Sequence, residues 1–80
     1  MKHIFTRYFI RKYHSLPKEI QRKFDKQLKF LLKNLRHPSL RAKKYDEARN
    51  IWQARVNQGY RFYFLMEKDT YILLDIRPHK

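Results

Sequence analysis

The sequence predicts an α+β domain in which an N-terminal strand and a helical hairpin pack on one face of an antiparallel sheet, in the order β-α-α-β-β-β. Three observations carry this. An apolar stripe of helical period runs through Ile20, Phe24, Leu28, Leu31 and Leu35. Three runs rich in aromatic and β-branched residues follow position 50, joined by connections short enough for hairpins. Within those runs, alternate residues sort into an apolar set and an arginine-bearing set. With 80 residues there is room for a single domain, 1–80, and 42 % apolar residues with 16 % aromatics exclude a disordered tail.

Each element has a local reason. Lys2–Phe5 is a short apolar-containing run that suits an edge strand. Thr6 is placed to cap a helix from Arg7 to about Ser15. Leu16-Pro17-Lys18-Glu19 breaks that helix and opens a second, with proline in the first turn and Glu19 adding negative charge there. The apolar stripe continues this helix from Pro17 to about Leu35. Its far face carries Arg22, Lys23, Lys26, Lys29 and Lys33, and Arg36-His37-Pro38-Ser39 ends it. Residues 39–50 have no clear period and read as a basic loop containing Lys43 and Lys44, with a candidate short strand. Strands are expected over Ile51–Val56, Tyr60–Met66 and Thr70–Pro78. Strand parity assigns Trp52, Ala54, Val56, Tyr60, Phe62, Phe64, Met66, Ile72, Leu74 and Ile76 to the face that covers the helices. It assigns Gln53, Arg55, Arg61, Tyr63, Leu65, Tyr71, Leu73, Asp75, Arg77 and His79 to the other.

Charge narrows the function classes. There are 20 Lys+Arg against 7 Asp+Glu, a net charge of +13, and residues 1–45 hold 14 of the basic residues with only Glu19 and Asp25 opposing them. A field of this strength recruits polyanions, and exceeds the ~2–8 charges that solubility alone asks of a small domain. With no cysteine, disulfides and thiolate zinc sites are excluded; His3, His14 and His37 show no ligand spacing, so no metal and no cofactor are expected. One glycine, Gly59, excludes a Gly-rich phosphate loop. No apolar run approaches the ~18 residues of a membrane span, and no signal-type segment follows Met1-Lys2, so no membrane partner and a cytoplasmic location are expected.

The chemistry-bearing residues lie on the polar sheet face. Arg55, Arg61 and Arg77 come from three neighbouring strands, and an anion between them relieves their mutual repulsion. His79 follows Arg77 by two and points the same way if the strand persists. Tyr63 and Tyr71 are candidates to stack on bases. RNA carries its own nucleophile, the 2′-hydroxyl; cleavage then needs a base, cations for the charge developing on phosphorus, and an acid for the leaving oxygen. Arg, Lys and His supply all three. Lys43 and Lys44 in the loop, Lys23 and Lys26 on the second helix, and Lys80 are candidate RNA or ribosome contacts. The competing reading is an ordinary solvated face on which Asp75 and Glu67 neutralise the arginines. Trp52 reads as core. Phe30 and Leu32 lie off the helix stripe and are candidates to meet an apolar partner segment.

Phe5-Thr6, Leu16-Pro17-Lys18-Glu19-Ile20, Trp52-Gln53-Ala54-Arg55-Val56, Gly59-Tyr60-Arg61-Phe62-Tyr63-Phe64 and Asp75-Ile76-Arg77-Pro78-His79 together resemble the RelE/ParE superfamily of toxins from toxin–antitoxin systems, over nearly the whole chain. The resemblance implies the RelE-like fold and, in the RelE/YoeB-like branch, a ribosome-dependent endoribonuclease that cuts mRNA in the A site, inhibits translation and works without metal. Arg55 and Arg77 match the transition-state arginines of RelE-like members. Arg61 and His79 match residues of the YoeB-type branch. Lys80 stands where that branch has a terminal tyrosine, and Ala42 falls near the position of the glutamate that serves as its base, so the base is left to Lys43 or Lys44, with His79 as base or acid and Tyr63 and Tyr71 as further candidates. The partners implied are a cognate acidic antitoxin, with Phe30 and Leu32 among its contacts, mRNA and the 70S ribosome with its rRNA, and operator DNA only through the antitoxin complex. Two alternatives stand beside this: a ParE-like toxin that inhibits gyrase, and a catalytically degenerate basic module that binds RNA or antitoxin.

Overall fold

Thr6 joins the first strand, the first helix and the last strand. Its side chain accepts a hydrogen bond from the Phe9 amide at 3.1 Å, which caps helix α1 (Arg7–His14). Its hydroxyl also donates to the Leu73 carbonyl at 3.0 Å. In this computed structural model, which describes residues 1–79, the strand before it, β1 (Lys2–Phe5), pairs in parallel with the first half of β5 (Thr70–Pro78). Where β1 ends, α1 takes over alongside the second half of β5, and Phe9 enters the core.

Helix α2 (Lys18–Lys33) starts after Pro17 and buries Ile20, Phe24, Leu28 and Leu31, as the stripe predicts. The Phe24 ring meets Phe9 and Phe62 at 5.1 Å each, joining both helices to the sheet. The helix stops short of Leu35 because Asn34 is already extended. A 3-10 turn over Pro38–Leu40 then buries Leu40 completely. The next residue, Arg41, adopts the left-handed conformation (φ 46, ψ 44) that side chains other than Asn, Asp and Gly rarely take.

The aperiodic loop does contain a strand, β2 (Lys43–Asp46), which pairs antiparallel with β3 (Ile51–Arg55); β4 (Tyr60–Glu67) and β5 continue the ladder. The sheet therefore has five strands in the order β1-β5-β4-β3-β2, antiparallel apart from β1. At the β3–β4 turn the Asn57 carboxamide oxygen accepts from the Gly59 and Tyr60 amides at 2.9 and 2.8 Å, closing a local turn that mimics a backbone one. No helix among the described residues is long and apolar enough to cross a membrane.

Strand parity is right for β3 and β4 and for the end of β5, and wrong for its beginning. Tyr63 pairs with Asp75 but Phe64 pairs with Leu73, so Leu74 is an extra residue in a β-bulge. Two residues against one reverses the alternation beyond that point. Tyr71 and Leu73, expected on the open face, turn into the core (3 % and 0 % exposed), while Ile72 and Leu74, expected inside, are only half-buried. The Tyr71 ring packs edge-on against Phe64 at 5.4 Å, so it is not free to stack on a base. A second irregularity, between Lys44 and Asp46, places Tyr45 over Tyr63.

Candidate functional site

On the open face of the sheet, Arg55 stands directly across from Arg61, and Arg61 directly across from Arg77. Strand pairing thus forces three like charges into one row, which disfavours folding unless a partner charge sits among them. The row divides into two environments.

Arg77 is occupied by its neighbours. Its guanidinium lies 4.6 Å from the centre of the Tyr63 ring, donates to the Tyr45 hydroxyl at 3.1 Å and sits 3.8 Å from Asp75. Asp75 is shared with Lys12 of α1 at 3.3 Å. Tyr63, expected to be open to bases, is covered by this assembly and only 7 % exposed.

Arg55 and Arg61 face a cleft of 310 Å³ lined also by Arg41, Lys43, Gln53 and His79. Among the described residues none of its four cations is ion-paired and no carboxylate lines it. Arg61 is held by the β3–β4 turn, donating to the Asn57 and Tyr60 carbonyls at 2.8 and 3.0 Å. Burial first, then the nearby charge of Arg55 and more weakly Arg41, lower the Arg61 pKa from its ordinary value. A bound anion would reverse both charge effects. The Arg55 Nε is buried and has no hydrogen-bond partner, so its desolvation is uncompensated in the free protein. The backbone amide of His79 donates to the Gly59 carbonyl at 2.8 Å, which fixes the histidine beside the turn that holds Arg61. His79 is the one imidazole on the cleft, and imidazole is the side chain suited to exchanging protons near neutral pH.

The structure therefore brings together Arg55, Arg61, His79 and Lys43 from the sequence-based set. Lys44 points the other way: its ammonium lies 5.2 Å from the centre of the Trp52 ring and bonds Asn50. That follows from parity, since Lys44 pairs with Trp52 while Lys43 pairs with Gln53. Lys23 and Lys26 border a neighbouring cleft, and Lys80 lies outside the described residues. Phe30 and Leu32 are half-buried against the core, and the Phe30 ring is already stacked on His37 at 3.9 Å. The large exposed apolar side chains are instead Met1, Ile4, Phe5, Tyr8 and Ile10 on and around β1 and α1, plus Tyr45. Phe5 and Ile10 border an apolar groove of 290 Å³ between the helices. Sequence reasoning missed Arg41, Gln53 and Tyr45 as site residues. Gln53 carried a signal, its parity with Arg55; Arg41 and Tyr45 carried none, because a left-handed residue and a bulge place them.

The fold is RelE-like. The chain superposes on a YoeB/ParE toxin from Agrobacterium tumefaciens with a TM-score of 0.82 at 13 % identity, over 100 % of both chains. A RelB-RelE antitoxin-toxin complex from Methanococcus jannaschii gives 0.77 at 18 % identity, over 94 % of this chain and 88 % of the other. The isolated E. coli RelE toxin gives 0.78 at 13 % identity, over 99 % and 84 %. No protein-family model and no curated protein matches the sequence.

Proposed function

We propose that this chain is the toxin of a toxin–antitoxin pair and an endoribonuclease that cuts mRNA in the ribosomal A site, using the RNA's own 2′-hydroxyl. The observation that carries it is the cleft in which Arg41, Lys43, Arg55 and Arg61 surround His79 with no opposing carboxylate among the described residues. The shared fold with toxins supports the class.

The chemistry follows from the lining. The 2′-oxygen attacks phosphorus and its proton passes to a base; the bond from phosphorus to the 5′-oxygen breaks and that oxygen takes a proton from an acid. The products are a 2′,3′-cyclic phosphate and a 5′-hydroxyl. His79 and Lys43 are the two groups on the cleft able to exchange protons, and they divide the roles of base and acid. Arg55 and Arg61 meet the charge that grows on the phosphoryl oxygens, and the turn carbonyls hold Arg61 in place beforehand. Arg77, tied to Asp75, Tyr45 and Tyr63, supports the floor of the site. The antitoxin partner is acidic, matched to the net charge of +13, and its apolar residues would meet the exposed side chains of β1 and α1.

The test is induced expression with primer extension on a translated message, comparing wild type with Arg55→Ala and His79→Ala. New cuts with wild type alone, present only when the message is translated, are expected. Growth arrest with intact mRNA overturns the nuclease reading in favour of gyrase inhibition. Neither arrest nor cuts leaves a binding module.

A further inference from the structure

At the end of β3 the sheet face turns a corner, and a second cleft of 440 Å³ opens between α2 and the 3-10 turn. Lys23 and Lys26, one helical turn apart on α2, border it, with Ser39 and Gln27 as polar lining. Two residues belong to both clefts: Arg55 and Arg41. The left-handed backbone of Arg41 is what sets its side chain on the rim between them. Gln27 holds this rim, since its amide donates to the Ser39 carbonyl at 3.0 Å and the Arg55 carbonyl at 2.8 Å. Among the described residues no carboxylate lines either cleft; Glu19, itself exposed, pairs with Lys23 at 3.9 Å.

We propose that this second cleft is a phosphate subsite, in which Lys23, Lys26 and Arg41 hold a further backbone phosphate of the same single-stranded RNA whose cleaved phosphate sits with Arg61 and His79. The inference rests on the RNA-binding part of the function above. The continuous run of cations, in which Lys23 alone is ion-paired, to the exposed Glu19, makes the path, and Arg55, with its unpartnered Nε, lies between the two ends. The path bends from the sheet face round to the helix. A single strand follows such a bend, whereas a duplex, with a persistence length of about 150 base pairs, does not. An amphipathic acidic peptide fits less well, because Pro38 and Val56 are the only apolar residues lining this cleft, Val56 is itself buried, and the large exposed apolar side chains lie elsewhere.

The test measures binding, so it does not depend on cleavage. Fluorescence anisotropy across a salt series is read with a 2′-O-methyl single-stranded RNA of about ten nucleotides, long enough for both clefts, and with a dinucleotide that fills only one. Each phosphate contact on a single strand contributes a salt slope of about 0.7. Lys23→Ala/Lys26→Ala is expected to lower the slope for the long probe by about 0.7, the share of one phosphate, and to weaken its binding several-fold, leaving the dinucleotide unchanged. The control, Lys29→Ala/Lys33→Ala, removes the same charge from exposed positions of α2 outside the cleft and is expected to move the slope far less. An equal effect of the control pair overturns the subsite in favour of a diffuse field. So does an unchanged long probe accompanied by lost binding of an acidic peptide of matched charge. If the expected pattern holds while no message is cut in cells, the nuclease reading fails and the subsite stands.

Discussion

Replacing Gln27 by leucine tests whether a single buried amide positions the arginines. Gln27 is 6 % exposed, donates to the Ser39 and Arg55 carbonyls and accepts from the Ser39 hydroxyl at 3.1 Å. Leucine fills a similar volume but makes none of these bonds. Ser39 is exposed, so water takes over its hydroxyl and carbonyl; the Arg55 carbonyl, at the end of β3 and covered by α2, gains less. One well-placed bond contributes about 1 kcal/mol, and stranding its buried partner costs about 1–3, so the expected loss is about 2 kcal/mol. For a domain of this size that is roughly 8–16 °C in Tm. Urea denaturation and a thermal melt measure it. Gln27→Glu separates hydrogen bonding from packing: its carboxylate has no proton to give and faces two carbonyl oxygens, so it should cost more than leucine at neutral pH. Acidification should recover part of that loss, because the protonated carboxyl donates again. A loss below about 0.5 kcal/mol for leucine, or a glutamate variant insensitive to pH, would refute the reasoning.

Three further outcomes are expected. Burial raises the Tyr71 pKa above 10.0, so its folded form keeps a proton that the unfolded chain releases; the associated stability is complete below pH 10 and is lost as pH rises towards the folded value. Tyr71→Phe should reduce the alkaline loss seen in pH-dependent melts, leaving the share of Tyr13, whose pKa is raised by burial and then by its hydrogen bond to Asp25, and should leave RNA binding unchanged. Arg61→Lys keeps the charge but loses the bonds to the Asn57 and Tyr60 carbonyls, and should lower stability by about 1–2 kcal/mol; Arg55→Lys, which gives up no such bond from its Nε, should be close to neutral in the same urea titration. Asp75→Asn frees Lys12 and Arg77, and should cost about 1 kcal/mol at low salt, less at high salt, while tightening polyanion binding by anisotropy.

Much of the site was legible because strand alternation is a local rule. Arg55, Arg61 and Arg77 share a face on parity alone; Lys43, expected in a basic loop, joins them only through the pairing of β2 with β3. The roles within that row were not legible. Arg77 is paired with Asp75 and stacked on Tyr63, whereas Arg55 keeps an unpartnered Nε, and the difference comes largely from Tyr63 of β4 and Tyr45 of β2, both distant in sequence from Arg77.

By itself the sequence determined the helices, the three long strands, the cationic surface and the row of arginines, because capping, periodicity and alternation act between residues a few positions apart. Only the tertiary structure decided the rest. Parallel pairing of β1 with β5 joins residues nearly a chain length apart. The bulge at Leu74 moves Tyr71 from the open face into the core, since the ladder must satisfy the registers of both β1 and β4 at once. The left-handed turn at Arg41 stands where the buried Leu40 and the start of β2 must both be reached, and it sets an arginine on the rim between two clefts. Such placements arise from long-range pairing and packing, which no local periodicity encodes.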